Sequence, residues 1–497
     1  MNRKYIIAVI AILLIICGCA FALTNSSSNA STSIDANALE DRGNLVVDSE
    51  NLDESNGLYH TDSADVNSIL VKNGGTLKLI DSIVNKTGDT ASTGDDADFY
   101  GTNSAILVNT NGTLDISNVE INTDSKGSNG IFVTNAEVSG SGDSSHGGEG
   151  GEPPEAAGDG GQPPEMPEGN GGGQPPEMPD GQGGGEPGQA SVEGTTEATI
   201  KNVKITTHSD KSRGLDATYN GIINAENVII NTDGQSCAAL ATDRGEGQVH
   251  VKNSQINTGV SKESGRGSPL IYSTGNITLE NTQGTSYVSQ IACIEGKNSI
   301  ELTDCDLKGY GGGNRQDGSN YVDLGGVFIY QSMSGDADVG TSLFCAKNSK
   351  LTIPEDSPVY AEAPMLHVTN TACVINLDNT ELSFGSGTFL EVSSQNQWGN
   401  TGSNGGTAEL NTNNEKIDGN VIVDSISSLN WTMKNTEFKG TINSTGNTTV
   451  DVADGSTWTL TGDSTVSDLT VSGNIEYGEY SITVDGQKYD SSNPFNG

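Results

Sequence analysis

Thr113-Leu114-Asp115-Ile116-Ser117-Asn118-Val119-Glu120-Ile121 recurs, loosely varied, along most of this chain. Later copies are Ala-Thr-Ile-Lys-Asn-Val-Lys-Ile ending at Ile205, Ile-Ile-Asn-Ala-Glu-Asn-Val-Ile-Ile ending at Ile230, and Gln-Val-His-Val-Lys-Asn-Ser-Gln-Ile ending at Ile256. An Asn or Asp holds one place in each. That column runs Asp81, Asn118, Asn202, Asn227, Asn253, Asn281 and Asp304, then Asn379 and Asn435, with Glu355 standing between. From Asn202 to Asp304 the steps are 25, 26, 28 and 23 residues. A period of that size is one coil of a stacked repeat.

Composition leads to the same architecture. The chain has 497 residues and 65 glycines, yet only 33% hydrophobic and 5% aromatic content. That is too little for a thick globular core, and enough for a thin one shared between neighbouring coils. The formal net charge of −41 excludes nucleic acid and anionic membrane surfaces as partners. Cations and neutral glycans remain compatible with it, and the acidity also keeps an exposed protein soluble.

The first residues read as an address. Arg3 and Lys4 precede the apolar run Tyr5 to Ile16, followed by small residues, as in a secretory signal. Ile16-Cys17-Gly18-Cys19 resembles a lipobox, with Cys19 the residue to be lipidated; the alternative is cleavage near Ala20 or Ala22. The expected organisation is a signal over 1–22, a polar tether over 23–54 and stacked coils over 55–490. Membrane association is then expected only through the N-terminal lipid. Cys237, Cys293, Cys305, Cys345 and Cys373 show no metal-ligand spacing and read as small apolar residues inside coils, a Cys293–Cys305 disulfide being the alternative.

A second column comprises Ile131-Phe-Val-Thr134, Leu215-Asp-Ala-Thr218, Leu240-Ala-Thr242, Ile271-Tyr-Ser-Thr274, Ala292-Cys-Ile-Glu295 and Val327-Phe-Ile-Tyr330. Each member precedes a Gly-containing turn and then a member of the first column. Every coil therefore has at least two strands and is expected to have three, as an all-β, right-handed parallel β-helix requires. Residues 139–194 interrupt one coil with nine of the fourteen prolines and no Lys or Arg, and are expected to be a disordered insertion. Shorter excursions fall at 310–323 and 396–406, and Tyr477 to Tyr489 is placed to cap the far end.

Chemistry is expected beside the second column. If Leu215 and Ala217 face inward, then Asp216 and Thr218 face outward. The matching positions are Phe132, Leu240, Tyr272, Cys293 and Phe328, then Thr134, Thr242, Thr274, Glu295 and Tyr330. Phe132, Asp216, Tyr272, Glu295, Phe328 and Tyr330 form a candidate glycan-binding face, because rings cover the apolar side of a sugar while polar neighbours take its hydroxyls. Stacked aromatics and threonines are also good strand residues without any ligand. Asp216, Asp243 and Arg244 are the catalytic candidates, although Asp243-Arg244-Gly245 also reads as a turn ion pair. Asp216 and Glu295 lie three coils apart, roughly 14 Å at the strand spacing, too far for a glycosidase pair. Calcium is the ion considered, at Asp95, Asp96 and Asp98 and at Asp336 and Asp338, where carboxylates alternate in glycine-rich turns.

Arg213-Gly-Leu-Asp-Ala-Thr, Ala241-Thr-Asp-Arg-Gly and Gln331-Ser-Met-Ser-Gly-Asp make residues 55–490 resemble the pectate-lyase-like right-handed β-helix found in adhesin-like surface proteins. The resemblance implies a cell-surface protein that binds a glycan or another cell. Its rival implication is a polysaccharide lyase or glycoside hydrolase working on the outward face.

Overall fold

A β-strand buries alternate side chains, and each coil of this chain breaks that alternation once. In Thr113–Asp124, Leu114 and Ile116 point inward, and after Asn118 the inward positions become Val119, Ile121 and Thr123. Asn118 has φ +52°, the left-handed region that Asn and Asp adopt more readily than other non-glycine residues. The bend consumes one residue and shifts the parity, so both halves of the strand face the same interior. The pattern repeats at Ala198 and Ile200 before Asn202, then Val203 and Ile205; and at Ile223 and Ala225 before Asn227, then Val228 and Ile230.

The computed structural model describes residues 34–92, 96–136, 193–262, 268–312, 316–317, 320–321, 323–332 and 334–496. It is a right-handed parallel β-helix. One sheet has 22 strands and carries both sides of the Asn bend; a second has 16 strands, from Leu45–Asp48 to Gln487–Asp490. Towards the C-terminus the segment after the bend separates into a four-stranded sheet that begins at Lys416–Asp418. A coil is therefore a strand such as Leu215–Thr218, a turn, Ile222–Glu226, the Asn227 bend and Ile229–Thr232. Register stacks like on like: Ile116, Ile200, Ala225, Val251, Leu279 and Leu302 form one continuous inward column.

The left-handed column is fuller than the sequence pattern suggests. Asn56, Asn348 and Asn414 belong to it at φ +54°, +48° and +55°, and Asn348 replaces Glu355, which lies outside the strands. Their amides form a ladder along a solvent-facing edge rather than in the interior. Asn118 Nδ2 donates to Asp81 at 3.1 Å, Asn281 to Asn253 at 2.8 Å and Asn379 to Asn348 at 3.0 Å. The buried hydrogen bonds belong to the next residue. Its amide is caught by a side chain of the coil above: Val228 N donates to Ser254 Oγ, Cys305 N to Ser349 Oγ and Thr436 N to Ser456 Oγ, each at 3.1 Å. At Thr380 the acceptor is Glu415, a buried carboxyl that burial pushes up to about 7.

The solenoid begins earlier than expected. Glu40–Gly43, Leu45–Asp48 and Asn51–Ser55 already pair with the next coil, so the stack starts at Glu40, inside the stretch assigned to the tether. At the other end Ser481–Val484 pairs antiparallel with Gln487–Asp490, and Phe495 packs edge-on against Tyr489 at 5.0 Å, closing that edge. The expected signal over 1–22, Cys19 included, and most of the insertion over 139–194 lie outside the described residues. The coils on either side of that insertion are direct neighbours: Thr113–Asp124 pairs with Glu197–Thr207 and Ile131–Thr134 with Leu215–Thr218, so the insertion adds no coil. The five cysteines among the described residues, Cys237, Cys293, Cys305, Cys345 and Cys373, are free thiols, so no disulfide joins Cys293 to Cys305; Cys305 and Cys373 sit in the core.

If the positive φ is what selects Asn, Asn281→Ala will destabilise by about 1–2 kcal/mol and Asn281→Gly by well under half of that. Denaturant midpoints decide it; equal losses would assign the cost to the amide ladder instead.

Candidate functional site

Register corrects the outward face. Leu215 pairs with Leu240 and Asp216 with Ala241, so Leu240 faces the core, and Thr242 stands level with inward Ala217. The outward column is Phe132, Asp216, Ala241, Tyr272, Cys293, Phe328 and His367. Asp243 follows Thr242 and falls one place on, level with Thr218 in the row that holds Thr134, Glu295 and Tyr330.

This face is not open to solvent. Phe132 and Asp216 are 0% exposed, Phe328 and Glu295 1% and Tyr330 8%. Three excursions roof it. Residues 96–101 lie over Phe132 and Thr218: Phe99 O accepts from Thr218 Oγ1 at 2.9 Å, and Tyr100 stacks on Tyr219 at 5.6 Å. Gly101, at φ +69°, packs so close that a Cβ there would lie 2.5 Å from the Phe132 ring. The excursion at 396–406 brings Trp398 onto Tyr330, ring centroids 4.9 Å apart. The third, residues 334–338, brings Asp336 to Arg244.

Between these roofs a cavity of about 290 Å³ remains. Tyr272, Phe328, Tyr330 and Trp398 line it as one packed cluster, and Phe99 lines it beside Arg244. Trp398 Nε1 donates to Asp323 at 2.7 Å and Tyr272 Oη to Glu295 at 2.8 Å, while Ser332 Oγ donates to the other Glu295 oxygen. Burial raises both Tyr272 and Tyr330 well above the usual phenol range, so each stays a neutral donor.

The polar side is built around Arg213. Its Nη1 lies 3.0 Å from Asp98, and its Nε lies 2.8 Å from Asp243 and 3.4 Å from Asp216. Burial opposes that positive charge, and the carboxyl groups of Asp243, Asp216 and Asp98 outweigh it. Burial also works to raise Asp98, yet Arg213 and Lys211, the latter 2.6 Å away, hold it below the ordinary carboxylate range. Asp216 and Asp243 are both buried and both lie on the same Arg213 Nε, close enough that each shifts the titration of the other. No N–H or hydroxyl is bonded to either oxygen of Asp216. Two carboxyls so placed share a proton. Burial first, and the charge of Asp243 second, push Asp216 well up, and burial raises Asp243 as well, so the pair holds a shared proton that Asp216 keeps the more firmly. Arg244 completes the group: Nη2 meets Asp336 at 2.6 Å and the guanidinium lies 3.9 Å over the Phe99 ring.

The remaining expectations divide. Asp216 and Asp243 meet on Arg213, and Asp243 lines the cavity with Tyr272, Phe328 and Tyr330; Arg244 pairs with Asp336 rather than with Asp243, and Phe132 is sealed beneath Gly101 and does not line the cavity. The calcium candidates do not converge. Asp95 lies outside the described residues, Asp96 accepts from Ser92, Asp98 and Asp336 are held by Arg213 and Arg244, and Asp338 pairs with Lys297 at 3.0 Å. Among the described residues no group of three or more His, Cys, Asp or Glu is arranged to hold a metal ion. Trp398, Asp323 and the Asp98–Arg213 pair were not foreseeable as site residues, because loop direction decides them. A larger groove of about 630 Å³ follows the Asn column past Asp304, Asn348 and Lys350. It lacks aromatic side chains and Lys350 is paired to Glu381, so the smaller cavity is the better candidate. Searches against protein-family models, curated proteins and solved structures found no match for this chain.

The shared proton has a consequence for stability. Unfolded aspartate loses its proton near pH 4, whereas folded Asp216 retains it, so the wild type loses stability as pH rises from there, by up to about 1.4 kcal/mol per pH unit. Asp216→Asn keeps a donor towards Asp243 and carries no titration. Its stability relative to wild type should therefore rise as pH is raised above about 4; a difference that stays flat there in denaturant titrations rules out the shared proton.

Proposed function

We propose that this chain is an exported β-helix held at the cell surface, binding carbohydrate in the cavity under Trp398. One observation carries the reading: a cavity of about 290 Å³ lined by a packed cluster of four aromatic side chains, Tyr272, Phe328, Tyr330 and Trp398, with Asp243, Asp323 and Gln290 among its polar groups. A pyranose has this division, with an apolar face for the rings and hydroxyls for the carboxylates and amide. The volume sits at the lower end of small-molecule sites, which suits one ring better than a long chain. The resemblance to adhesin-like β-helices supports the same assignment and adds no ligand.

Hydrolysis is the second reading, favoured by the buried Asp216–Asp243 pair, both raised by burial and Asp216 the further. Their placement together on the same Arg213 Nε weighs against it, since glycosidase carboxyls stand roughly 5–10 Å apart on either side of the scissile bond. A lyase would need a free basic group, and Arg213 is enclosed by three carboxyl groups.

A glycan array on the full chain, run beside a reducing-end and unsaturated-product assay, tests this. Binding without turnover is expected, weakened about tenfold or more in Trp398→Ala, the scale of losing one stacked ring. Product release abolished in Asp243→Asn would replace binding with catalysis. The surface address is tested separately by mass spectrometry of the mature N-terminus: a diacylglyceryl thioether on Cys19 is expected, and a chain starting after Ala20 or Ala22 excludes the anchor.

A further inference from the structure

The walls of the cavity decide which part of a carbohydrate can enter it. Along the stack it is stopped at both ends. Below, residues 96–101 bring Phe99 onto the face, where its carbonyl oxygen accepts from Thr218 Oγ1 at 2.9 Å. Above, Trp398 lies on Tyr330 with ring centroids 4.9 Å apart, and its Nε1 donates to Asp323 at 2.7 Å. The strands that carry Thr218 and Tyr330 are four steps apart in the sheet, roughly 19 Å at the usual spacing. A polymer laid along the face would meet Phe99 at one end of that interval and Trp398 at the other.

One flank is closed as well, by contacts that run from the lower roof to Tyr330. The Arg244 guanidinium lies 3.9 Å over the Phe99 ring and meets Asp336 at 2.6 Å. Asp336 N donates to Ser334 Oγ at 3.2 Å, and Ser334 N to Ser332 Oγ at 3.1 Å. Ser332 Oγ then bonds Glu295, which stands level with Tyr330 and also takes the Tyr272 hydroxyl. The opposite flank is different. Between Arg213 below and Gln290 above it presents Ser236, Ala238, Ser268, Pro269 and Ser289 to the cavity. These side chains are short and Ser236 is exposed, so among the described residues this flank is the mouth.

Walls on three sides and a mouth on the fourth make a blind pocket. A glycan crosses an open groove by any of its residues, but it enters a blind pocket only by an end, and about 290 Å³ holds little beyond that end residue. Of the two ends of a glycan attached to a surface, the non-reducing one is free, because attachment is made through the reducing carbon. We infer that the cavity recognises the non-reducing terminal residue of a glycan and rejects internal residues, with the Phe99–Arg244–Asp336 bridge as the stop that enforces the choice. This rests on the cavity being the carbohydrate site proposed above.

Full-length protein is titrated calorimetrically with the methyl glycosides of glucose, galactose, mannose and N-acetylglucosamine, and with the linear tetrasaccharide of each. The sugar that binds is expected to bind equally well in both forms. A benzylidene acetal on the non-reducing residue of the tetrasaccharide should abolish binding, and reduction of its other end to the alditol should leave it unchanged. Arg244→Ala removes the bridge and should raise affinity for the tetrasaccharide several-fold relative to the methyl glycoside, with an unchanged far-ultraviolet spectrum; Asp336→Ala tests the same bridge if that variant does not fold. Wild-type affinity that climbs with chain length, or binding lost on reduction and kept on blocking, overturns the terminal-residue inference and leaves the carbohydrate reading standing. A ratio unchanged in the folded variants overturns the role of the bridge. Failure of every sugar in both forms overturns the inference and the carbohydrate reading together.

Discussion

One residue per coil, held near φ +50°, is the constraint on which the rest of this molecule depends. Without it a strand long enough to cross the sheet would keep a single parity, and its second half would turn its apolar side chains to solvent. The left-handed residue absorbs one position and restores the inward face, and the following amide, tipped out of the ladder, is met by Ser254, Ser349, Ser456 or Glu415 of the coil above. Asn and Asp recur there because their penalty for that backbone is small and their side chains reach the neighbour. The inward aliphatic column and the outward row with Asp216 both follow from the register this bend fixes.

That dependence explains what could be read in advance. The bend column was legible because few residue types tolerate its backbone, and three-strand coils followed from it. It was misread where coil length changes: Glu355 was chosen and Asn348 and Asn414 missed because the longer loops there break the spacing. The outward face was misaligned by one place at Leu240, where Cys237-Ala-Ala-Leu-Ala241 is apolar throughout and gives alternation no purchase. Phe132, Glu295 and Phe328 were expected in solvent and are buried, because whether a loop folds back over a face depends on contacts such as Thr218 to Phe99 and Trp398 to Asp323, which have no local sequence signature.

Roofing the face converts ordinary surface charges into a site. Arg213 and Asp98 on an exposed coil would contribute little. Under residues 96–101 and 396–406 they lose solvent, and the structure answers with a closed set of contacts: one guanidinium among three carboxyl groups, one of them protonated. The arrangement is costly to break in any single member, which favours a fixed geometry over a mobile one. The same roofs supply the aromatic wall, so the polar and apolar halves of the cavity are assembled by the same loops and stand or fall together.

The second sheet stacks its parallel strands from Leu45–Asp48 to Ser481–Val484, a column of roughly 70 Å at the usual spacing. The strand leading to Asp243 is the sixth in that order and the one holding Tyr330 the ninth, which sets the cavity roughly 25–40 Å above the first coil. The stack therefore behaves as a graduated post. Whole coils added or lost below the cavity would change its height in steps of about 5 Å and leave its chemistry untouched. A change of one residue within a coil would instead turn a column inside out, so reach and recognition vary independently on this scaffold.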